Sequence, residues 1–233
     1  VGERFLLLGR KCGFGLGGGK RILHSLWMRS RGEGPVDICY NGIKFRLYPS
    51  SSTLDSKILT SSRLREKEEL RGLQIALSGS GIFLDLGANS GYYSMMAILF
   101  GAERVLAVEA NPSMCARLQF NAEANEFSQR VEISKVALGD RDGTAELLLL
   151  GGDLGSNRIA RGKEEGERID VPMRTLLSLL MEKKVERVAA MKIDVEGMED
   201  AVLLPFFEKA PSSLWPEVVI IEHAQKTDWK EDA

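Results

Sequence analysis

The sequence has little of several features that would define a class of protein at once. Aromatic residues make up 7% of its 233 residues, and it contains only two histidines and three cysteines. The net charge is −2, so the overall charge does not indicate a nucleic-acid-binding protein. No apolar run reaches the length of a transmembrane helix. The composition, with 44% hydrophobic and 27% charged residues, is typical of a soluble globular domain with a sizeable core.

The scarce cysteines also argue against a disulfide framework. Cys12, Cys39 and Cys115 are odd in number, and their spacing matches neither a C-x-x-C pair nor a zinc site. We therefore expect free thiols in a reducing compartment. Since no signal-peptide layout is present either, we predict a cytoplasmic protein.

Charge is unevenly distributed along the chain. Residues 1–31 hold seven Lys or Arg and one acid, a net of +6, which leaves −8 for the remainder. This basic segment would suit a membrane surface or an anionic partner, but a solvated terminal helix is the simpler interpretation. A glycine pattern of the G-x-G-x-x-G type occurs here, at Gly13, Gly15 and Gly18. No strand-like sequence precedes it, so we interpret it as a hinge.

The most informative stretch is residues 81–93, GIFLDLGANSGYY. An apolar run leads into Asp85, a glycine-rich loop follows, and an apolar helical run begins at Tyr92. This order predicts a strand, a tight loop and a helix, the first unit of a doubly wound parallel sheet. In such sheets, ligands bind beyond the carboxyl ends of the strands.

This loop differs from the fingerprint of dinucleotide-binding proteins. The third and sixth positions of G-x-G-x-x-G, counted from Gly87, are occupied by Asn89 and Tyr92. Asp85 would repel a pyrophosphate but attract a cationic group. S-adenosylmethionine (SAM) would fit this loop, because its ammonium group can face Asp85 while its carboxylate faces the amides at the helix start. Gly87 and Gly91 would allow the backbone to approach the ligand closely.

Two further segments complete the predicted cofactor site. Glu109 ends the second predicted strand, 22 residues after Gly87, where an acid can accept hydrogen bonds from ribose hydroxyls. Residues 136–138, Val-Ala-Leu, follow the third strand and would form a wall beside an adenine ring. Helix capping is the alternative role for Glu109, since Asn111 and Pro112 open the next helix.

A third motif, residues 191–199 (MKIDVEGME), brings two acids to the end of a buried strand. Asp194 and Glu196 could act as a general base, anchor a substrate or hold a divalent metal, or they could cap the following helix. Lys192 is unusual in an apolar strand, and either pairs with a carboxylate or lies at an edge. His223, after the last predicted strand, is either a further candidate base or metal ligand or an ordinary histidine at a strand end.

The rest of the chain predicts the fold. Alternating apolar residues around Asn41 and Gly42 predict a hairpin over residues 36–48, followed by a helix over 63–77. From residue 82 onward strands and helices alternate, which predicts an α/β, Rossmann-like sheet with helices on both faces. The predicted strands are 82–86, 104–108, 131–136, 144–150 (an edge excursion paired antiparallel), 169–173, 188–193 and 218–221. The predicted helices are 91–100, 112–124, 175–183 and 197–207, the last broken at Pro205, with a loop over 151–168. We thus divide the chain into an N-terminal segment (1–78) and a cofactor-binding domain (79–233).

Taken in order, these motifs resemble the FkbM-type family of SAM-dependent methyltransferases. The matching stretches are residues 83–94, 108–112, 121, 136–144, 192–199 and 219–222. The resemblance implies a class I methyltransferase fold and, for most members, O-methylation of hydroxyls on sugars, polyketides or other small molecules. Together with the residue patterns it predicts a cofactor site formed by Asp85, Gly87, Ala88, Asn89, Gly91, Tyr92, Tyr93, Glu109, Ala110, Asn111, Val136, Ala137, Leu138 and Asp194, and catalytic roles for Asp194, Glu196 and His223.

The sequence also departs from this family. Ala110 stands where the family commonly has proline, and the family fold usually continues with a helix and two antiparallel strands beyond residue 223. We expect a small-molecule or sugar acceptor and no nucleic acid. The alternatives are a SAM-binding module without activity and, less favoured, an NAD-dependent oxidoreductase, which would need a glycine at 89 or 92 and a Tyr-x-x-x-Lys pair.

Overall fold

The fold is that of a computed structural model, which describes residues 34–60, 67–79, 81–150, 157–160 and 165–221. The glycine run at Gly13–Gly18, Cys12 and His223 lie outside these residues. The strands are β1 Val36–Tyr40, β2 Ile43–Leu47, β3 Ile82–Leu86, β4 Arg104–Val108, β5 Val131–Ser134, β6 Ala137–Leu138, β7 Gly143–Leu149, β8 Arg158–Ile159, β9 Glu167–Arg174, β10 Ala190–Ile193 and β11 Val218–Ile221. The helices are α1 Thr53–Thr60, α2 Lys67–Leu77, α3 Tyr92–Leu99, α4 Pro112–Ala124, α5 Leu176–Glu182 and α6 Glu199–Lys209, followed by a 3-10 turn at Ser212–Leu214.

A five-stranded parallel sheet forms the centre of the molecule, in the order β11-β10-β3-β4-β5. The chain runs outward from β3 through β4 to β5, then returns to β10 on the other side of β3. The strand order therefore reverses between β3 and β10, which is the position where doubly wound sheets bind their ligands. The predicted strands 82–86, 104–108 and 218–221 are confirmed to the residue.

Helices cover both faces of this sheet, because its strands are apolar on both sides. One buried cluster joins the sheet to α2, α3 and the β1–β2 hairpin. The other joins it to α5 and α6. The α/β class and the doubly wound arrangement that the sequence predicts are therefore confirmed.

The N-terminal hairpin forms as predicted, with Asn41 and Gly42 in the turn. Their φ angles are 52° and 85°, the left-handed pair that a two-residue hairpin requires. Side chains in α4 and directly after it hold the hairpin: the amide of Asn125, the residue that follows α4, accepts from Lys44 N at 2.8 Å and donates to Lys44 O at 2.7 Å. Asn121 Oδ1 likewise accepts from Arg46 N at 2.8 Å. The hairpin thus shares an apolar core and hydrogen bonds with the larger part of the chain.

Some predicted elements are wrong. The strand predicted at 144–150 pairs antiparallel as expected, β7 with β9, but it does so in a separate four-stranded sheet, β6-β9-β7-β8, and not as an edge excursion of the central sheet. The strand predicted at 131–136 ends at Ser134, and residues 137–138 join the second sheet instead. The loop predicted at 151–168 contains β8 and the start of β9.

The helices also differ from expectation at two places. Helix α6 continues through Pro205 to Lys209, so the proline does not break it. It begins at Glu199 rather than at 197, because Glu196 and Gly197 have φ angles of 51° and 91°, outside the right-handed helical region. Helix α1 was not predicted; Ser52 Oγ caps its start by accepting from Asp55 N at 3.1 Å.

Candidate active site

The glycine-rich loop after β3 is fixed against the two neighbouring strands. The N–H groups of Gly87 and Ala88 both donate to Val108 O, at 2.9 and 3.0 Å. On the other side, a Cβ placed on Gly87 would lie 1.8 Å from Asp194 O. With a φ of 77°, Gly87 therefore occupies a position that a larger residue could not adopt without moving β10.

Glu109 lies directly after β4 and is held by this loop. Its Oε2 accepts from Asn89 N and its Oε1 from Asn111 N, both at 2.8 Å. Burial raises the pKa of the Glu109 carboxyl, and the two backbone N–H groups oppose that rise. Each carboxylate oxygen can accept a further hydrogen bond, so the group is oriented and still able to bind hydroxyls.

A cleft of about 620 Å³, counting its open mouth, lies at the carboxyl ends of β3, β4 and β10. Its polar side chains include three acids, namely Glu109, Asp194 and Glu196. Its apolar wall consists of Val108, Ala110, Met114, Val136, Ala137, Leu138, Leu147, Ile159 and Val195. The cleft thus combines a wall suited to a flat ring with carboxylates.

Asp194 is paired with a buried lysine. Lys192 Nζ lies 3.0 Å from Asp194 Oδ2, and the two side chains are 6% and 28% exposed. The ammonium also lies 5.0 Å from the centroid of the Tyr93 ring, within the range of a cation–π contact. Of the two roles considered for Lys192, pairing with a carboxylate is therefore the one that the structure shows.

The turn between β10 and α6 presents Glu196 to the cleft. Glu199 Oε1 accepts from Val195 N at 3.0 Å and from Gly197 N at 3.2 Å. This carboxylate bridges the turn, whose middle residue Glu196 has a left-handed φ of 51°. A left-handed non-glycine residue costs about 1–3 kcal/mol and persists only where the surrounding structure fixes it. Here the two hydrogen bonds to Glu199 fix the turn.

The structure brings most of the predicted site residues together. Those that line the cleft are Gly87, Asn89, Glu109, Ala110, Val136, Ala137, Leu138, Asp194 and Glu196. Those that lie outside its lining are Asp85, Ala88, Gly91, Tyr92, Tyr93 and Asn111. His223 is outside the described residues, so its role stays a prediction.

Asp85 differs most from its expected position. The sequence suggested that it faces a ligand, but its side chain is completely buried beneath the loop and Oδ2 accepts from Ser94 Oγ at 2.6 Å. Burial raises the pKa of the Asp85 carboxyl, and the positive charge of Lys192 is the largest opposing effect. Its Oδ1 has no hydrogen-bond partner among the described residues.

The other predicted residues behind the cleft have structural contacts. Tyr92 lies against Phe45 of the hairpin, with ring centroids 6.1 Å apart. Tyr93 Oη donates to Glu69 Oε2 at 2.6 Å. Asn111 caps α4, where its Oδ1 accepts from Ser113 N at 2.9 Å, which is the capping position that the Asn111–Pro112 pair indicates.

Sequence reasoning missed several lining residues, namely Val108, Met114, Leu147, Asn157, Arg158, Ile159 and Val195. Met114 could have been found, because it lies in the first turn of the helix after Glu109. Residues 157–159 carry no motif. They reach the cleft because β8 pairs with β7 in the second sheet, a pairing that no local pattern predicts.

Among the described residues, no group of three or more His, Cys, Asp and Glu side chains could hold a metal ion. None of the helices in the described part of the chain is long and apolar enough to cross a membrane.

The strand order, the glycine loop at the reversal point and the acid after the second strand together define a Rossmann-like domain for a nucleoside-containing cofactor. A family model, the Methyltransferase FkbM domain, matches residues 85–232. Since this match covers more than half of the chain, the protein belongs to the FkbM methyltransferase family.

Similarity to individual proteins is more limited. The chain is 36% identical over 66 residues to the ribosomal protein L11 methyltransferase of Heliobacterium modesticaldum, which covers 28% of this chain and 21% of that protein. It is 32% identical over 83 residues to the same enzyme of Pelobacter propionicus, covering 36% and 26%. The chain thus spans about a quarter or less of the length of these curated relatives.

The similarity to solved structures is also limited. Methyltransferase FkbM from Methylobacillus flagellatus matches with a TM-score of 0.37 and 17% identity, over 57% of this chain and 31% of that one. An O-methyltransferase from Bacillus cereus, solved with S-adenosylhomocysteine (SAH), matches with a TM-score of 0.38 and 13% identity, over 66% and 54%. These similarities are too low to carry an assignment, which rests on the family match.

Proposed function

We propose that this protein is a SAM-dependent methyltransferase that methylates a hydroxyl group of a small molecule or sugar. One observation carries the proposal: the Glu109 carboxylate, the apolar wall of Ala110 and residues 136–138, and the acids Asp194 and Glu196 all line the same cleft. A nucleoside-binding half and an acidic half thus meet in one space, as transfer from a nucleoside cofactor requires.

The residues present fit the adenosine part of SAM. Glu109 is oriented by two backbone N–H groups and can accept from both hydroxyls of a ribose. Small and aliphatic side chains beside it suit a flat purine ring. Asp85 would act on the ammonium group of the cofactor only through its charge, because its side chain is buried beneath the loop. Asn89, whose N–H already binds Glu109, connects the loop to the ribose position.

The two acids at the other side of the cleft would serve the acceptor. SAM supplies an electrophilic methyl group when it is bound. An alcohol that receives this group must lose its proton, and a carboxylate within hydrogen-bond reach can take it. Glu196, held in its left-handed conformation, and Asp194, held by Lys192, are the candidates in the described residues. His223 remains a third candidate.

Cofactor binding tests the first half of the proposal. We expect isothermal titration calorimetry to show binding of SAM and SAH, with no comparable heat for NAD. Replacing Glu109 by Ala should weaken SAM binding by about 1–3 kcal/mol, since a charged acceptor of hydrogen bonds is lost. Glu103→Ala is a matched control: this acid is exposed at the opposite end of β4 and should leave the affinity unchanged.

Methyl transfer tests the second half. A radiolabelled methyl group should appear on at least one member of a panel of hydroxylated sugars and small molecules, and Glu196→Gln or Asp194→Asn should reduce the rate. Parallel reactions with EDTA would show whether a divalent metal takes part. SAM binding without transfer to any acceptor would favour a non-catalytic module, and binding of NAD but not SAM would contradict the proposal altogether.

A further inference from the structure

Lys192 is a buried cation that is paired with Asp194, a residue that lines the cleft. In the register of the sheet it lies directly opposite Asp85 on β3. Its ammonium bonds Asp194 Oδ2 at 3.0 Å and lies over the ring of Tyr93. One positive charge therefore stands between an acid beneath the cofactor loop and an acid that lines the cleft.

This arrangement cancels charge next to the cleft. A lysine with a 6% exposed side chain is costly unless it is paired, and its partner Asp194 is the member of the pair that reaches the cleft surface. A ligand in the cleft thus meets a nearly neutral Lys192–Asp194 pair. Removing either partner would leave the charge of the other uncompensated in a partly buried place, where charges are poorly screened.

We propose that Lys192 sets how strongly the cleft prefers a positively charged sulfonium over a neutral thioether. This inference rests on the proposed function, since SAM and SAH differ by a methyl group and one positive charge. With the Lys192–Asp194 pair intact, the positive charge of SAM adds little to its binding. SAM and the neutral product SAH then bind with similar affinity, so SAH can be released and replaced by SAM. Lys192 acts through Asp194 and the local field, and is therefore a positioning residue rather than a catalytic one.

The experiment compares dissociation constants for SAM and SAH, measured by calorimetry at pH 7.5 on the full chain. Lys192→Met should raise the preference for SAM over SAH by about tenfold, equivalent to about 1.4 kcal/mol. Asp194→Asn should shift the ratio about tenfold in the opposite direction. The double variant should return the ratio to within about twofold of the original, since both charges are then absent. The opposite signs separate this effect from a general loss of structure, which would weaken both ligands together.

A matched control removes a lysine elsewhere. Lys183 pairs with Glu132 at 2.9 Å and is partly exposed, so Lys183→Met changes the net charge equally but should leave the ratio unchanged. If Lys192→Met leaves the ratio unchanged, or if Asp194→Asn moves it in the same direction as Lys192→Met, the inference is wrong while the proposed function stands. If the unaltered protein binds neither SAM nor SAH, both are wrong.

Discussion

Replacing Gly87 by Ala gives the sharpest test of how the cleft is built. The backbone φ of 77° costs an alanine about 1–2 kcal/mol. In addition, the new Cβ would lie 1.8 Å from Asp194 O, so the loop and the end of β10 would have to separate. The loop cannot simply shift away, because Gly87 N is bonded to Val108 O on the other side. Overpacking of this kind costs about 1–3 kcal/mol.

The expected loss for Gly87→Ala is therefore about 2–5 kcal/mol in the free energy of unfolding, measured by urea denaturation. SAM affinity should also fall, because the displaced loop carries Asn89 away from Glu109. Gly72→Ala is the matched control. Gly72 lies within helix α2 with no atom near the position of a Cβ, so the same change should stabilise the protein by about 0.5–1 kcal/mol. A change of less than about 0.5 kcal/mol for Gly87→Ala, or equal effects at both positions, would refute this reasoning.

Three other predictions follow from the described contacts. Asn125→Ala should destabilise the protein by about 1–2 kcal/mol in urea denaturation, since the hairpin loses two hydrogen bonds, whereas Gln119→Ala should have little effect. Burial raises the pKa of Asp55, so between the pKa of an unfolded aspartate, about 4, and the higher pKa of the folded state the folded protein holds a proton that the unfolded chain releases. Stability should fall as the pH rises through that window, and less steeply in Asp55→Asn. Burial also raises the pKa of Cys115 to about 12, so at pH 8 a thiol reagent should modify the exposed Cys39 and leave Cys115 unmodified until the protein unfolds, as peptide mass spectrometry would show.

Each of these predictions has a result that would contradict it. Within the described residues the side chain of Gln119 bonds only Glu123, on its own helix, so equal losses for Asn125→Ala and Gln119→Ala would mean that the hairpin bonds contribute nothing. For Asp55, identical slopes of stability against pH in the variant and the unaltered protein would show that its titration does not matter. Modification of Cys115 in the folded protein, at a rate near that of Cys39, would show that the thiol is not shielded.

The sequence predicted the central sheet well for a physical reason. Strands of a parallel sheet are buried on both faces, so they appear as short apolar runs bounded by polar or glycine residues. Strands β3, β4 and β11 and helix α4 accordingly begin and end at the predicted residues. The second sheet was not predicted, because its identity depends on which strands pair. The sequence of β7 looks the same whether it joins the central sheet or pairs with β9.

The site was predictable where a motif places a residue at the end of an apolar strand. Gly87 follows β3 and Glu109 follows β4, and both line the cleft. Asp85 was harder to place, because a carboxylate before a glycine loop could face either the ligand or the interior, and here Ser94 and Lys192 stabilise the interior position. Asn157 and Arg158 could not be found at all, since only the pairing of β8 with β7 brings them to the cleft.

The hydrogen bonds from Asn121 and Asn125 to the hairpin determine when, during synthesis of the chain, the hairpin can be stabilised. Asn125 follows its partner Lys44 by 81 residues and Asn121 follows Arg46 by 75. A hairpin of two strands is only marginally stable by itself. At about 5–20 residues per second, the ribosome would need roughly 4–16 s after making the hairpin before its amide partners exist. During that interval the hairpin backbone edge lacks the partners that α4 later provides, and we expect nascent chains that end before Asn121 to be cut by proteases at residues 36–47.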